Sequence, residues 1–224
     1  MSMPYYVSPE QIIADKAEFA RKGIARGRSV LVASARESIF FVADNPSRAL
    51  HKIGEIYDRI GFAAVGRYNE FENLRVAGVR LADTRGYSYD RVDVTVRTIA
   101  NAYAQTLGSI FIEAAKPFEV EIAVAQVGET PDQDQLYRIS FDGSVHDQAG
   151  FISMGGDSEA VGNHMSENWN IGAGAHETLK AAVNALYPDS EPDITTLEVA
   201  TLSRTGDGRR FRRCSAAEIT ELLG

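Results

Sequence analysis

The order in which the apolar period changes along the chain limits the fold more than any other feature. Helical spacing opens the chain. Short apolar runs with two-residue alternation follow, and the cycle then repeats to the end. Ser8-Pro9-Glu10-Gln11 signals a helix start, with Ser8 as cap, Pro9 in the first turn and Gln11 where a capping box takes Glu or Gln. Ile12, Ile13, Ala17 and Ala20 form an apolar stripe, and Gly23 is the expected stop. Strands are expected at 30–35, 39–43, 52–57 and 62–65, then helices at 69–81 and 93–115. Val120, Ile122 and Val124 alternate with Glu119, Glu121 and Ala123, and further strands are expected at 136–141 and 151–154, with a turn at Asp142-Gly143. Gly155-Gly156 leads to a helix from about Asp157 to Trp169, and another spans Ala175 to Leu186. A hairpin pairs 197–203 with 209–213, and Ser215 with Glu218 caps a last helix. Runs of strands segregated from runs of helices predict an α+β fold, two sheets with helices outside them, rather than alternating parallel units. The opening helix and the 93–115 helix both carry apolar stripes, which favours association with other chains, while a monomer with both helices packed inside stays open from the pattern alone.

No internal repeat or linker divides the 224 residues, and hydrophobic residues at 44% with charged residues at 24% describe an ordinary globular chain. The net charge of -8 argues against a nucleic-acid partner. No run of about 18 apolar residues occurs, so no membrane helix is expected. Met1 to Val7 lacks the basic and apolar regions of a signal peptide, and a single cysteine, Cys214, fits a reducing compartment. A cytoplasmic location is the expectation.

The search for chemistry is largely negative. His51, His146, His164 and His176 have no partner at metal-ligand spacing, so no metal site or cofactor is expected. Gly155-Gly156 lacks the lysine and hydroxyl of a phosphate loop and reads as a tight turn, and no G-x-S-x-G elbow occurs. Arg209, Arg210, Arg212 and Arg213 around Phe211 read as a charged sheet edge.

Several ordered runs resemble the actinobacterial proteasome α subunit: Ser8-Pro9-Glu10-Gln11, Ala20-Arg21-Lys22-Gly23-Ile24-Ala25 and Asn45-Pro46-Ser47-Arg48. Lys52-Ile53, Asn69-Glu70-Phe71, Ala82-Asp83-Thr84-Arg85-Gly86-Tyr87, Ala115-Lys116-Pro117-Phe118-Glu119 and Met154-Gly155-Gly156 continue the likeness across nearly the whole chain. The resemblance implies one α-type domain over 1–224 with the four-layer αββα sandwich of N-terminal nucleophile (Ntn) hydrolases. Residues 1–7 would be a flexible gating segment, 8–23 a helix and 28–224 the sandwich.

A threonine protease of this type needs a hydroxyl and a free α-amine on the same first residue. Here Arg28-Ser29-Val30 opens the first strand behind a well-signalled helix, so no catalytic residue is expected. Asp44 and Lys52 stand where, by resemblance, catalytic relatives keep an acid and a lysine. The rival reading, an Ntn amidohydrolase activated by processing near Ser29, stays open here. By resemblance, Lys52 with Arg21 and Gly66 lines a pocket for an activator's C-terminal carboxylate, although Lys52 also fits a plain solvated lysine. Met1, Ser2, Met3, Pro4, Tyr5, Tyr6, Val7 and Ser8 would form a pore gate. The implied partners are copies of the chain in a seven-membered ring, proteasome β subunits, a hexameric AAA+ ATPase or other ring activator, and pupylated or unfolded substrates.

Overall fold

The computed structural model describes residues 8–47, 49–188, 190–206 and 208–224. Helix α1 (Pro9–Ala25) starts at Ser8, whose Oγ accepts the Gln11 backbone N–H at 3.2 Å. Only half of the expected capping box forms, because the Gln11 side chain donates to Asp15 at 2.7 Å instead. The helix also runs two residues past its expected end at Gly23, to a cap at Arg26. Gly23 is a point of close approach: a Cβ there would land on the Glu119 carboxylate. The residue type reported a packing need, and the helix continued through it.

Strands β1 (Val30–Ser34), β2 (Ser38–Asp44), β3 (Ile53–Tyr57) and β4 (Ile60–Gly66) follow. Helix α2 (Tyr68–Ser88) runs seven residues beyond the 81 expected from its stripe, since the residues after Ala82 are almost all exposed and extend the helix without an apolar stripe. Arg91–Asp93 forms a 3-10 turn. Helix α3 (Val96–Glu113) therefore starts later than Asp93, where the Thr95 side chain accepts the Thr98 N–H. Next come β5 (Val120–Gln126), β6 (Gln135–Ile139), β7 (Val145–Gln148), β8 (Phe151–Met154), α4 (Ser158–Asn168), α5 (Ala175–Leu186), β9 (Leu197–Ser203), β10 (Phe211–Arg213) and α6 (Ala216–Leu223).

The strands form two antiparallel sheets with orders β10-β9-β2-β1-β8 and β3-β4-β5-β6-β7. Alternation sorts their side chains into layers. Val30 and Val32 of β1 and Ala123 and Ala125 of β5 point between the sheets. Leu31 and Ala33 face α4 and α5, while Ile122 and Val124 face α2 and α3. Central strands are thus buried on both faces, and Glu121 in β5 is buried with them. The result is the expected αββα sandwich. Helix α3 buries Ile99, Tyr103 and Leu107, whereas α1 buries Ala20 and Ile24 but leaves Ile12, Ile13 and Phe19 half exposed.

Candidate functional site

Lys52 enters β3 from the loop after β2, and its backbone carbonyl accepts the Ala64 N–H of β4 at 3.0 Å. Its side chain crosses to the other sheet. There Nζ donates to the Arg28 carbonyl at 2.8 Å and the Asp44 carbonyl at 3.0 Å, which joins the approach to β1, the end of β2 and the start of β3. It is not the solvated lysine that sequence alone allowed. Burial pushes its amine from 10.5 down to about 8; Asp44 and Glu198 oppose that fall and Arg28 adds to it.

The neighbouring acids are already engaged. Arg28 Nη1 donates to both Asp44 carboxylate oxygens, at 2.9 and 2.7 Å. Glu198 of β9 accepts from Asn45 Nδ2 at 2.7 Å, from the Lys52 and Ile53 backbone N–H groups at 2.9 and 3.3 Å, and from Arg213 at 2.6 Å. His51 stands 3.2 Å from it. Sequence reading passed over Arg28 and Glu198. The signal for Glu198 was available, since a single carboxylate inside the apolar run Leu197–Leu202 needs partners when buried.

Gly66 closes β4 with φ at +105°, and a Cβ there would collide with the Glu119 carbonyl oxygen. Only glycine fits that turn. It lies against Gly27, the chain neighbour of Arg28, whose carbonyl Lys52 grips. Arg21 is placed elsewhere. It stacks over Phe141 at 5.7 Å and lines a hollow of about 340 Å³ with Glu121, Arg138 and His146. The structure brings Lys52 and Gly66 to one end of the sandwich and shows no contact between Arg21 and either. Ser8 is the α1 cap, and the other expected gate residues, Met1 to Val7, lie outside the described residues.

The remaining candidates are structural. Cys214 follows β10 half-buried, and burial pushes its thiol up, away from the reactive thiolate. Of the arginine cluster, Arg209 pairs with Glu55, Arg212 with Glu218 and Arg213 with Glu198, while Arg213 Nη2 also donates to the Ile53 carbonyl at 2.6 Å. Together Glu198 and Arg213 satisfy the outward backbone groups of Ile53 on edge strand β3, which closes that part of the edge to another strand. Among the described residues, no group of side chains could hold a metal ion, and no helix is long and apolar enough to cross a membrane.

At the start of β1, Ser29 is peptide-linked to Arg28 and only 8% exposed. Its nitrogen is an amide with no basic lone pair, and its buried Oγ has no hydrogen-bond partner. A proteasome-subunit family model matches residues 23–203. The chain belongs to the proteasome subunit family. Three similar relatives are each named proteasome subunit alpha, and each matches the whole of this chain. That of Acidothermus cellulolyticus is 59% identical with 98% of its own length covered. That of Geodermatophilus obscurus is 57% identical with 82% covered, and that of Kineococcus radiotolerans 55% identical with 98% covered. Within the proteasome family this is a non-catalytic, α-type chain, and the geometry at Ser29 gives the reason. A proteasome nucleophile must offer a hydroxyl and its own amine, and here the Ser29 nitrogen is taken up in the peptide bond to Arg28.

Proposed function

We propose that this chain builds the outer, heptameric rings of a cytoplasmic 20S proteasome core particle. Copies of itself and β subunits are its assembly partners, and the α ring templates the β ring. The carrying observation is Ser29, buried and amide-linked behind an ordered helix. A chain that holds the fold of a hydrolase without its nucleophile acts by enclosing and admitting. The half-exposed Ile12, Ile13 and Phe19 on α1 support association, since a neighbour in a ring would cover them.

Residues Met1 to Ser8 would gate the pore at the ring axis. Deleting Met1 to Val7 speeds degradation of unfolded protein by the assembled particle; an unchanged rate sinks the gate. The Lys52 end would receive the C-terminal carboxylate of a hexameric AAA+ ATPase or other ring activator. Its ammonium keeps a third N–H beyond the two given to carbonyls. Arg21 joins this pocket only if a neighbouring copy supplies it, because within one chain it stands over Phe141. Pupylated or unfolded proteins would be the substrates. Co-expression with a β subunit from the same genome tests the whole reading. It predicts one large particle on size-exclusion chromatography, with peptidase activity confined to it. Two separate small species, or peptidase activity from this chain alone, refute it.

A further inference from the structure

The two outer strands of one sheet differ in shape. In the order β3-β4-β5-β6-β7, β3 and β7 lie on opposite flanks of the molecule. β3 is recessed. It borders a groove of about 890 Å³ between α2 and the β9–β10 hairpin, lined with the rings of Tyr57, Tyr68 and Phe211. β7 stands out, with Val145, His146 and Asp147 exposed along it.

Most charges of the groove are already paired. Arg75 holds Glu72 at 2.6 Å, Arg209 holds Glu55 at 2.5 Å, Arg213 holds Glu198 at 2.6 Å, and Arg91 stands 3.9 Å from Asp58. Asp83, on the α2 stripe that faces the groove, is exposed and has no ion-pair partner among the described residues. On the other flank, Arg97 of α3 is exposed and has none either among the described residues. Arg97 shares a helical stripe with Ala104 and Gly108, which border Gly143 in the turn before β7. The two helices run antiparallel and meet where Gly78 faces the Tyr103 hydroxyl. From that crossing, Asp83 and Arg97 lie in the same direction, roughly 8 and 9 Å along their helices. An acid and a base thus stand level on opposite flanks of one chain.

We propose that the ring closes head to tail: the β7 flank of one copy seats in the β3 groove of the next, and Arg97 of the first pairs with Asp83 of the second. The proposal rests on the ring reading above and names its seam. A contact between two different surfaces propagates around an axis, whereas copies meeting by the same edge stop at a dimer. Shape and chemistry agree with it. The exposed ridge fits the groove, Val145 brings an apolar side chain to the aromatic lining, and the two free charges are opposite. Their equal height lets them meet between neighbours that keep every α1 at the same end.

The test uses the full chain co-expressed with a β subunit from the same genome, and reads the share of chain in the large particle by size-exclusion chromatography. Asp83→Arg and Arg97→Asp each put like charges across every seam, and each should cut that share at least about fivefold. The chain carrying both substitutions restores opposite charges and should recover most of the assembly. Both positions are exposed, so circular dichroism of each variant should match the unsubstituted chain. Either single variant assembling as well as the unsubstituted chain overturns the seam and leaves the ring reading standing. A double variant as defective as the singles also overturns it. An unsubstituted chain that never enters a large particle sinks the ring reading itself.

Discussion

The two ends of the sandwich handle an inward-reaching cation in opposite ways. At the end where β1 turns into β2, Arg204 and Asp134 pair at 2.6 Å with side chains only 5% and 1% exposed. Every neighbour helps: Arg204 also donates to the carbonyls of Ala35, Arg36 and Gly128, while Asp134 accepts from Ser34 Oγ and the Gly128 N–H. Three loops are locked by one saturated ion pair. At the other end Lys52 crosses between the sheets and meets only carbonyls, and its nearest acids serve other cations. The first arrangement satisfies each charge internally. The second leaves an amine with no carboxylate directly on it, the feature on which the proposed docking role rests.

The sharpest way to break that contrast is Asp134→Ala. It strands the Arg204 charge in the interior and should cost about 3–5 kcal/mol, a fall in Tm on the order of 10 °C. A shift of only a degree or two would mean that this end is not held by the pair. Gly66→Ala comes next. It forces a side chain into positive φ against the Glu119 carbonyl, and should cost about 2–3 kcal/mol in denaturant unfolding. A smaller loss would show that the Lys52 end yields where the locked end does not.

Lys52→Met should change stability by only about 1 kcal/mol, because loss of the two hydrogen bonds to carbonyls is offset by relief of the amine's desolvation penalty. Docking should nevertheless be abolished. The pH dependence carries a definite sign. The folded amine titrates near 8 and the unfolded one near 10.5, so between those values the unfolded chain binds more protons. The Lys52 contribution to stability therefore rises across that window, and the advantage of Lys52→Met shrinks as pH rises from about 7 to 10. Activator docking moves oppositely and falls as pH passes about 8. Paired unfolding and docking titrations measure both. Smallest of all is Arg28→Gln. Its pair with Asp44 is half exposed on the arginine side, and its loss should move unfolding by less than about 1 kcal/mol.

Much of the fold was legible because strand and helix periods are local. The α5 and β9 bounds match their spacing, and Ser215 with Glu218 forms the capping box that their separation announced. Gly23 shows the limit. In sequence it looks like a stop, yet the reason for a missing side chain there is Glu119, which arrives from a distant segment. Arg204 and Asp134 were invisible for the same cause, since charges beside strand ends are common and nothing local says that two of them will meet.

By itself, the sequence determined the element order and the class of fold, because both follow from residue types at short range. Only the tertiary structure decided which cations find carboxylates. It gave Arg204 a buried partner 70 positions away, gave Lys52 two carbonyls and a lowered basicity, and put Arg21 over Phe141 instead of beside Lys52. Charge pairing and desolvation depend on what lies within a few ångströms in space, and chain neighbours do not specify that.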